Sequence, residues 1–361
     1  MTRPAFVVVG AGLTGATIAR SLADRGHSVR VVERRPHLGG NVFDTVHHSG
    51  IRVHAHGPHY FRTSSDRLWA FVRRFSAFYP YEAKILSRID GGYEPWPLSR
   101  ALIARRFGDV SHAPVLAAPE NFEAAMLAKM PRPIYDVFVR EYTEKQWGVA
   151  PCTLDRRLAA RVHVREHEDP RLTPKARHQG LPTDGYAAMV AGMLEGIPLT
   201  LDVDYLRERE RWPASRLTIF TGPIDEYFGY CLGRLQYRAQ QRETTYLPNV
   251  GWHQPVGQVN EPQHAAGALI RTIEWKHLLP PALAQQATGT VITTETPFTP
   301  VSPDDYEYPF PDAANHALYQ RYRARAKAHP NVLICGRLGE YRYYDMDQAI
   351  GRARMLSARI A

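Results

Sequence analysis

The chain has 361 residues, a formal charge of +9, 44% hydrophobic residues and 22% charged residues. Such a length allows two or three domains, and the composition excludes a disordered or fibrous chain. The positive balance suits acidic small molecules, a membrane surface or nucleic acid, but the basic residues are dispersed and form no basic tail. Cys152, Cys231 and Cys335 are far apart and lack CxxC spacing. They argue against a disulfide frame or a zinc site and fit a reducing compartment. No signal peptide is read at the N-terminus, and no apolar run approaches the ~20 residues a membrane span needs. A cytoplasmic protein is expected.

The run from Phe6 to Val9 predicts a buried parallel strand. Gly10, Gly12 and Gly15 follow in GxGxxG spacing. Gly10 suits a tight turn, Gly12 a close approach to a pyrophosphate, and Gly15 the packing of a helix on the sheet. The pyrophosphate then meets free N–H groups at a helix N-terminus. The helix is predicted through about Ala23, and "HSVRVVE" reads as a second strand ending at Glu33, placed for ribose hydroxyls. In "RRPHLGGN", Arg34 and Arg35 would suit the 2′-phosphate of an NADP site. The pair Gly39-Gly40, followed by Asn41, instead favours a bulky cofactor and points to FAD.

Further along, "SDRLWAFVRRFSAF" and "ENFEAAMLAKMPRPIYDVFVREYTEKQW" have helical spacing, broken at Pro131 and Pro133. "LTLDVDY" and "RLTIFTG" read as strands. There is no internal repeat.

Six segments together resemble the flavin-dependent UDP-galactopyranose mutase family. They are "IRVHAHGPHYFRTSS", "YTEKQWG", "RVHVR", "GPIDEYFGYCLGRLQYR", "IRTIEWKH" and "GRLGEYRYYDMDQAIGRA". The resemblance covers nearly the whole chain. It implies an α/β fold with a Rossmann-like FAD-binding domain, an inserted helical-bundle domain and an antiparallel β-sheet domain. The expected boundaries are 1–65 with about 180–200 and 315–361 for the FAD domain, 66–162 for the helical insertion, about 163–179 for a mobile loop, and 200–314 for the sheet.

The implied reaction interconverts pyranose and furanose forms of a nucleotide-diphosphate sugar through an adduct between the sugar and N5 of reduced flavin. The cofactor supplies the covalent chemistry, and no Ser-His-Asp set or metal is required. The leaving diphosphate calls for arginines, whose planar forks bind phosphate bidentately. Arg165 and Arg271 match the family's diphosphate arginines, and Tyr308 and Tyr343 its diphosphate tyrosines, with Tyr306 competing for the place of Tyr308. Asp345 suits an N-cap with Gln348 at capping-box spacing. The resemblance adds that Asp345, Met346 and Arg337 lie beside flavin, with His56 and His59 as flavin neighbours. Tyr142 is expected to stack on the base and Trp147 to wall the sugar pocket. Lys145 and Gln146 fit either a substrate contact or a helix-end anchor.

The sequence departs from the family around "EHEDPRLTPKARHQG", where His178 stands in place of a phosphate-binding tyrosine. "YEPWPLSRAL" also lacks the usual asparagine after the proline-aromatic stretch. The expected substrate is UDP-galactopyranose. UDP-arabinopyranose, dTDP-fucopyranose or an N-acetylated sugar are the alternatives, and an FAD oxidase or desaturase is the rival activity. An external reductant such as NAD(P)H and a homodimer complete the expected partners.

Overall fold

A computed structural model describes residues 3–108 and 118–361. The apolar run Phe6–Val9 is the middle strand of a five-stranded parallel sheet. Its order is Leu199–Thr200, Val29–Val32, Phe6–Val9, Leu217–Phe220 and Val332–Ile334. Phe6, Val7 and Val8 expose no surface, as a strand covered on both faces requires. At its end Gly10 takes φ 103°, a turn that an L-residue with a Cβ resists. The helix Leu13–Ala23 follows. A Cβ on Gly15 would lie 1.9 Å from the Gly10 carbonyl oxygen, so only glycine lets this helix sit on the turn. The helices Tyr186–Leu194 and Met346–Ile360 pack against it.

A seven-stranded sheet stands beside this layer, in the order Tyr308–Pro309, Tyr237–Leu247, Thr290–Phe298, Arg271–Glu274, Gln258–Asn260, Ile85–Ile89 and Gly92–Trp96. Its pairings are antiparallel except that Gln258–Asn260 runs parallel to Ile85–Ile89. The sheet is therefore mixed rather than antiparallel throughout. A helical layer over 122–147 has its own core, built on Phe122, Met126, Met130, Ile134, Tyr135 and Phe138. Within it, residues 132–147 form one helical run with a π-helical turn at Asp136–Arg140.

Two expected boundaries shift. Leu217–Phe220 was expected in the sheet over 200–314, but it pairs in parallel with Phe6–Val9. Its apolar sequence LTIF, with the last three residues buried, suits a central strand of a layered sheet. The hairpin of Ile85–Ile89 and Gly92–Trp96 falls inside the expected helical insertion, yet it forms the far edge of the seven-stranded sheet. Asp90 and Gly91 both take positive φ, 50° and 80°, which is the two-residue turn that joins such strands.

The helical layer is fastened to the large sheet by Lys145, which is 9% exposed. Its ammonium donates to the carbonyl oxygens of Glu261 (2.9 Å), Gln263 (2.5 Å) and Leu269 (3.0 Å). All three ammonium hydrogens are thereby used, and Lys145 acts as the helix-end anchor rather than a substrate contact. Lys145→Met should lower the unfolding free energy by about 2–3 kcal/mol, because carbonyls then remain buried without a donor. Urea unfolding at constant pH reads this, and an unshifted midpoint would contradict the anchor.

Candidate active site

Two cavities adjoin at the C-terminal ends of the parallel strands. The larger, about 280 Å³, is lined by Gly10, Gly12, Gly15, Glu33, Arg34, Gly39, Gly40 and Asn41, and on its far side by Arg337, Asp345 and Met346. The smaller, about 140 Å³, is lined by His56, Gln258, Arg161, Arg271, Glu307 and Tyr308 among others. Asn41, Pro58, His59, Arg337 and Tyr343 belong to both walls, so the two cavities share a boundary.

The larger cavity fits a dinucleotide. Gly12 and Gly40 approach so closely that a Cβ on Gly40 would sit 3.0 Å from the Gly12 Cα, which keeps a smooth cradle at the turn. Glu33 ends the second strand, 7% exposed. Its carboxylate accepts from the backbone N–H groups of Ala11 (2.6 Å) and Arg35 (2.8 Å). The two arginines after it are engaged elsewhere. Arg34 pairs with Glu226 (2.7 Å) and Asp304 (3.0 Å), and Arg35 donates to Asn41 (2.9 Å) and the Asp304 carbonyl (2.7 Å). Their bonding disfavours the 2′-phosphate reading. Asp345 caps the helix Met346–Ile360 in a capping box with Gln348, and Arg62 pairs with its carboxylate at 3.0 Å.

His59 lines both cavities, and its Nδ1 is buried without a partner. Burial, with Arg337 nearby, holds its pKa down to about 3, so the imidazole is neutral. His56 lines only the smaller cavity, where its Nδ1 faces Glu307 at 3.3 Å. It was expected beside the cofactor and instead belongs with the polar chamber.

The smaller cavity is organised by strand register. Glu295 lies opposite Arg242 on one neighbouring strand and opposite Arg271 on the other. Its side chain exposes 0% of its surface. Arg242 Nε reaches it at 2.8 Å, and Arg271 Nε donates to its second oxygen. Arg242 then turns two N–H groups to Glu307, at 2.6 and 3.1 Å. Arg271 also extends toward the Tyr308 hydroxyl at 3.4 Å. Tyr308 and Tyr343 stack with centroids 6.1 Å apart, and the Arg161 guanidinium lies 3.9 Å from the centroid of Tyr343. Burial raises the Tyr343 and Tyr142 phenols, so both remain protonated donors. Tyr142 is half-buried, within the electrostatic reach of Arg271, Tyr308 and Arg161.

Tyr308, rather than Tyr306, reaches the cavity. Tyr306 is 3% exposed and stacks on Tyr237 at 4.0 Å in the core. Of the other expected residues, Tyr142, Lys145, Arg165, His178 and Trp147 line neither wall. Arg165 donates to the carbonyl oxygens of Asp169 (3.1 Å), Arg171 (2.7 Å) and Leu172, closing its own loop. His178 stacks on Trp69 with centroids 5.2 Å apart and bonds Asp66 at 2.7 Å. Trp147 is 7% exposed and packs edge-on against Phe310 in the helical core. Sequence reading passed over Arg161, Gln258, Arg242, Glu295 and Glu307. Arg161 opens the "RVHVR" segment already singled out. Gln258, Arg242 and Glu295 are inward polar groups on strands, and Glu307 directly precedes the edge strand Tyr308–Pro309, so all are visible only once the register is known.

Charge bookkeeping shows what the site accepts. Arg271 and Arg242 are matched by Glu295 and Glu307. Among the described residues, Arg161 and Arg337 line the smaller cavity with no carboxylate within 4.0 Å in an ion pair. Two unmatched guanidiniums and the phenol hydroxyls of Tyr308 and Tyr343 make a receptor for an anion.

Comparisons with known proteins bear on the family and the fold. Residues 137–343 match the family model for UDP-galactopyranose mutase, and residues 8–75 match that for an NAD(P)-binding Rossmann-like domain. The chain is 30% identical to a probable UDP-galactopyranose mutase of Klebsiella pneumoniae, covering 98% of this chain and 94% of that protein. It is 28% identical to a dTDP-fucopyranose mutase of Escherichia coli, covering 96% of each. A crystal structure of reduced UDP-galactopyranose mutase superposes with a TM-score of 0.76 at 14% identity, covering 99% of this chain and 95% of that one. The chain therefore belongs to the UDP-galactopyranose mutase family.

Proposed function

We propose that this protein interconverts the pyranose and furanose forms of a nucleotide-diphosphate sugar, with UDP-galactopyranose as the preferred substrate and UDP-arabinopyranose, dTDP-fucopyranose or an N-acetylated sugar as the alternatives. The observation that carries this reading is the shared wall. A dinucleotide cavity opens beside an anion-binding cavity through Asn41, His59, Arg337 and Tyr343.

FAD fits the larger cavity through Gly10, Gly12, Gly15, Glu33, Gly39, Gly40, Asn41, Arg337 and Met346. When bound and reduced, it supplies the nucleophile for the anomeric carbon. The chain's own residues act on the leaving diphosphate. Negative charge grows there as the glycosidic C–O bond lengthens, and Arg161, Arg337 and Arg271 face it in fixed positions. Tyr308 and Tyr343 donate hydroxyls to phosphate oxygens without adding charge. Neutral His59 offers a nitrogen to the reacting region without repelling those cations. Arg165 reaches a ligand only after its loop, about 163–179, gives up three carbonyl bonds. The helical layer would close over the nucleotide, with Tyr142 beside it. An external reductant such as NAD(P)H, a homodimer, a cytoplasmic setting and a role in glycan synthesis rest on the family resemblance alone.

The decisive assay incubates the flavin-loaded protein with UDP-galactopyranose, UDP-arabinopyranose and dTDP-fucopyranose, with and without dithionite. Furanose product only after reduction supports the mutase. An oxidised sugar with hydrogen peroxide would establish an oxidase instead.

Arg161→Ala and Arg271→Ala should each lower kcat/KM by about 30- to 1000-fold while the protein stays yellow, as expected for a lost charge-assisted contact. Wild-type kinetics in both would remove the diphosphate assignment.

His59 gives an acid signature. The unfolded imidazole binds a proton near its ordinary 6.5, whereas the folded one does so only near about 3. Between those values the unfolded chain holds the extra proton, so stability falls as pH drops through this window. His59→Asn should flatten the fall between about pH 6.5 and about pH 4 in urea titrations. An identical slope in the variant would locate the acid sensitivity elsewhere.

A further inference from the structure

Glu307 is out of place in an anion-binding chamber. It shares the smaller cavity with Arg161, Arg337 and Arg271, yet its carboxylate would repel a diphosphate. We propose that Glu307, held by Arg242 and His56, recognises a hydroxyl of the transferred sugar and makes the site select a hydroxylated over a deoxygenated sugar at that position. The proposal deepens the nucleotide-sugar reading and rests on it.

The geometry supports this in three steps. First, the carboxylate stays ionised. Burial alone would raise its pKa, but the His56 hydrogen bond and the Arg242 guanidinium pull it down to about 2. An ionised carboxylate only accepts hydrogen bonds, so it selects a donor. Within a nucleoside diphosphate sugar, the uncharged donors that gain from a fixed anion are the sugar hydroxyls, while the phosphates lose.

Second, one acceptor site remains open. Glu307 Oε1 takes Arg242 Nη1 (2.6 Å) and faces His56 Nδ1 (3.3 Å), and Oε2 takes Arg242 Nη2 (3.1 Å). A carboxylate has about four acceptor positions, which leaves one on Oε2. The side chain is 5% exposed, so water competes poorly for that position.

Third, its neighbours complete a hydroxyl-binding set. Burial lowers the His56 pKa, so the ring is neutral. With its Nδ1–H turned to Glu307, its Nε2 is an acceptor. Gln258 donates one amide hydrogen to Asn260 Oδ1 at 2.9 Å and accepts from Tyr60 at 3.4 Å, which leaves one N–H to give. Acceptor, acceptor and donor thus line one chamber, in which Arg242 holds the carboxylate in place. Arg242 is itself held at 2.8 Å by Glu295, so the set is anchored to the buried sheet rather than to a loop.

The test compares binding of UDP, UDP-galactopyranose and its monodeoxy analogues by titration calorimetry on the flavin-loaded protein. Turnover after dithionite is measured in parallel. The wild type should bind UDP-galactopyranose about 10- to 100-fold more tightly than one of the deoxy analogues, the range for a hydrogen bond to a charged group. Glu307→Gln should lose that discrimination and keep UDP affinity within about twofold. Glu307→Asp keeps the charge for Arg242 but withdraws the carboxylate by one methylene. It guards against a folding defect and should lose discrimination as well. A parallel loss of UDP affinity, or discrimination that survives both substitutions, would overturn the proposal. If the wild type isomerises no sugar nucleotide, the mutase reading fails, while the binding ratios still decide the role of Glu307.

Discussion

The site depends on a carboxylate gripped from both sides. Glu295 sits on Thr290–Phe298, with Arg242 opposite on one neighbouring strand and Arg271 opposite on the other. A lone ion without solvent exposure would be strongly unfavourable, and two cations without it equally so. Register solves both problems at once, because directly opposed residues on adjacent strands stand within side-chain reach. A slip of one residue would turn Glu295 to the other face and leave two arginines unmatched. The ion triad and the pairing of these strands therefore specify each other.

From that triad the polarity of the chamber follows. Arg271 has its Nε committed to Glu295, which fixes the guanidinium plane and leaves other N–H groups for Tyr308 and a ligand. Arg242 is committed twice, to Glu295 and to Glu307, and so serves as filling between carboxylates rather than as an anion receptor. The unmatched positive charge is displaced to Arg161 and Arg337, which belong to other layers of the molecule. Arg337 follows the parallel strand Val332–Ile334, and Arg161 ends the short helical segment Arg156–Arg161. The anion-binding charge is thus assembled from three layers and can form only when they are packed together.

How much of this was legible in the sequence depends on the range of the interactions involved. The dinucleotide cradle is local: strand, glycine turn, helix, strand and Glu33 lie within some thirty residues, and each position has a backbone reason that survives without tertiary context. The cap at Asp345 is local as well. The hairpin around Asp90-Gly91 was equally local and was missed, because the stretch was read as part of a helical insertion although an Asp-Gly pair between short strands is a strong turn signal. Leu217–Phe220 was seen as a strand but given the wrong sheet, since an apolar tetrapeptide does not state its partner. Arg165 and His178 show the limit of motif matching. The residues stand where the pattern places them, yet carbonyls of one loop and the surface carboxylate of Asp66 hold their side chains. Glu295 and Glu307 were invisible because a charged residue within a strand, or directly before one, reads as solvent-facing until the pairing is known.

The segment "EYTEKQWG" shows how binding and bracing divide along one helix. Glu141 accepts from the His264 backbone N–H, Glu144 bonds the His264 ring at 2.9 Å, and Lys145 reaches three carbonyls beyond. Gln146 accepts from Gln240 at 2.8 Å. Arg238 donates to the carbonyls of Gln146 (2.7 Å) and Lys145 (3.1 Å), where the helix has run out of partners of its own. Gly148, with φ 70°, then ends the helix in the left-handed conformation. The polar groups of the segment are thus turned to the large sheet, and Trp147 is sunk in the helical core. Tyr142 alone is left among Arg271, Tyr308 and Arg161. What a motif preserves here is mostly a rigid joint. Its rigidity holds one tyrosine within reach of Arg271 on the neighbouring sheet and of Arg161 on the helical side, because a ring on a loosely docked helix would lose in side-chain and backbone freedom what it gained by the interaction.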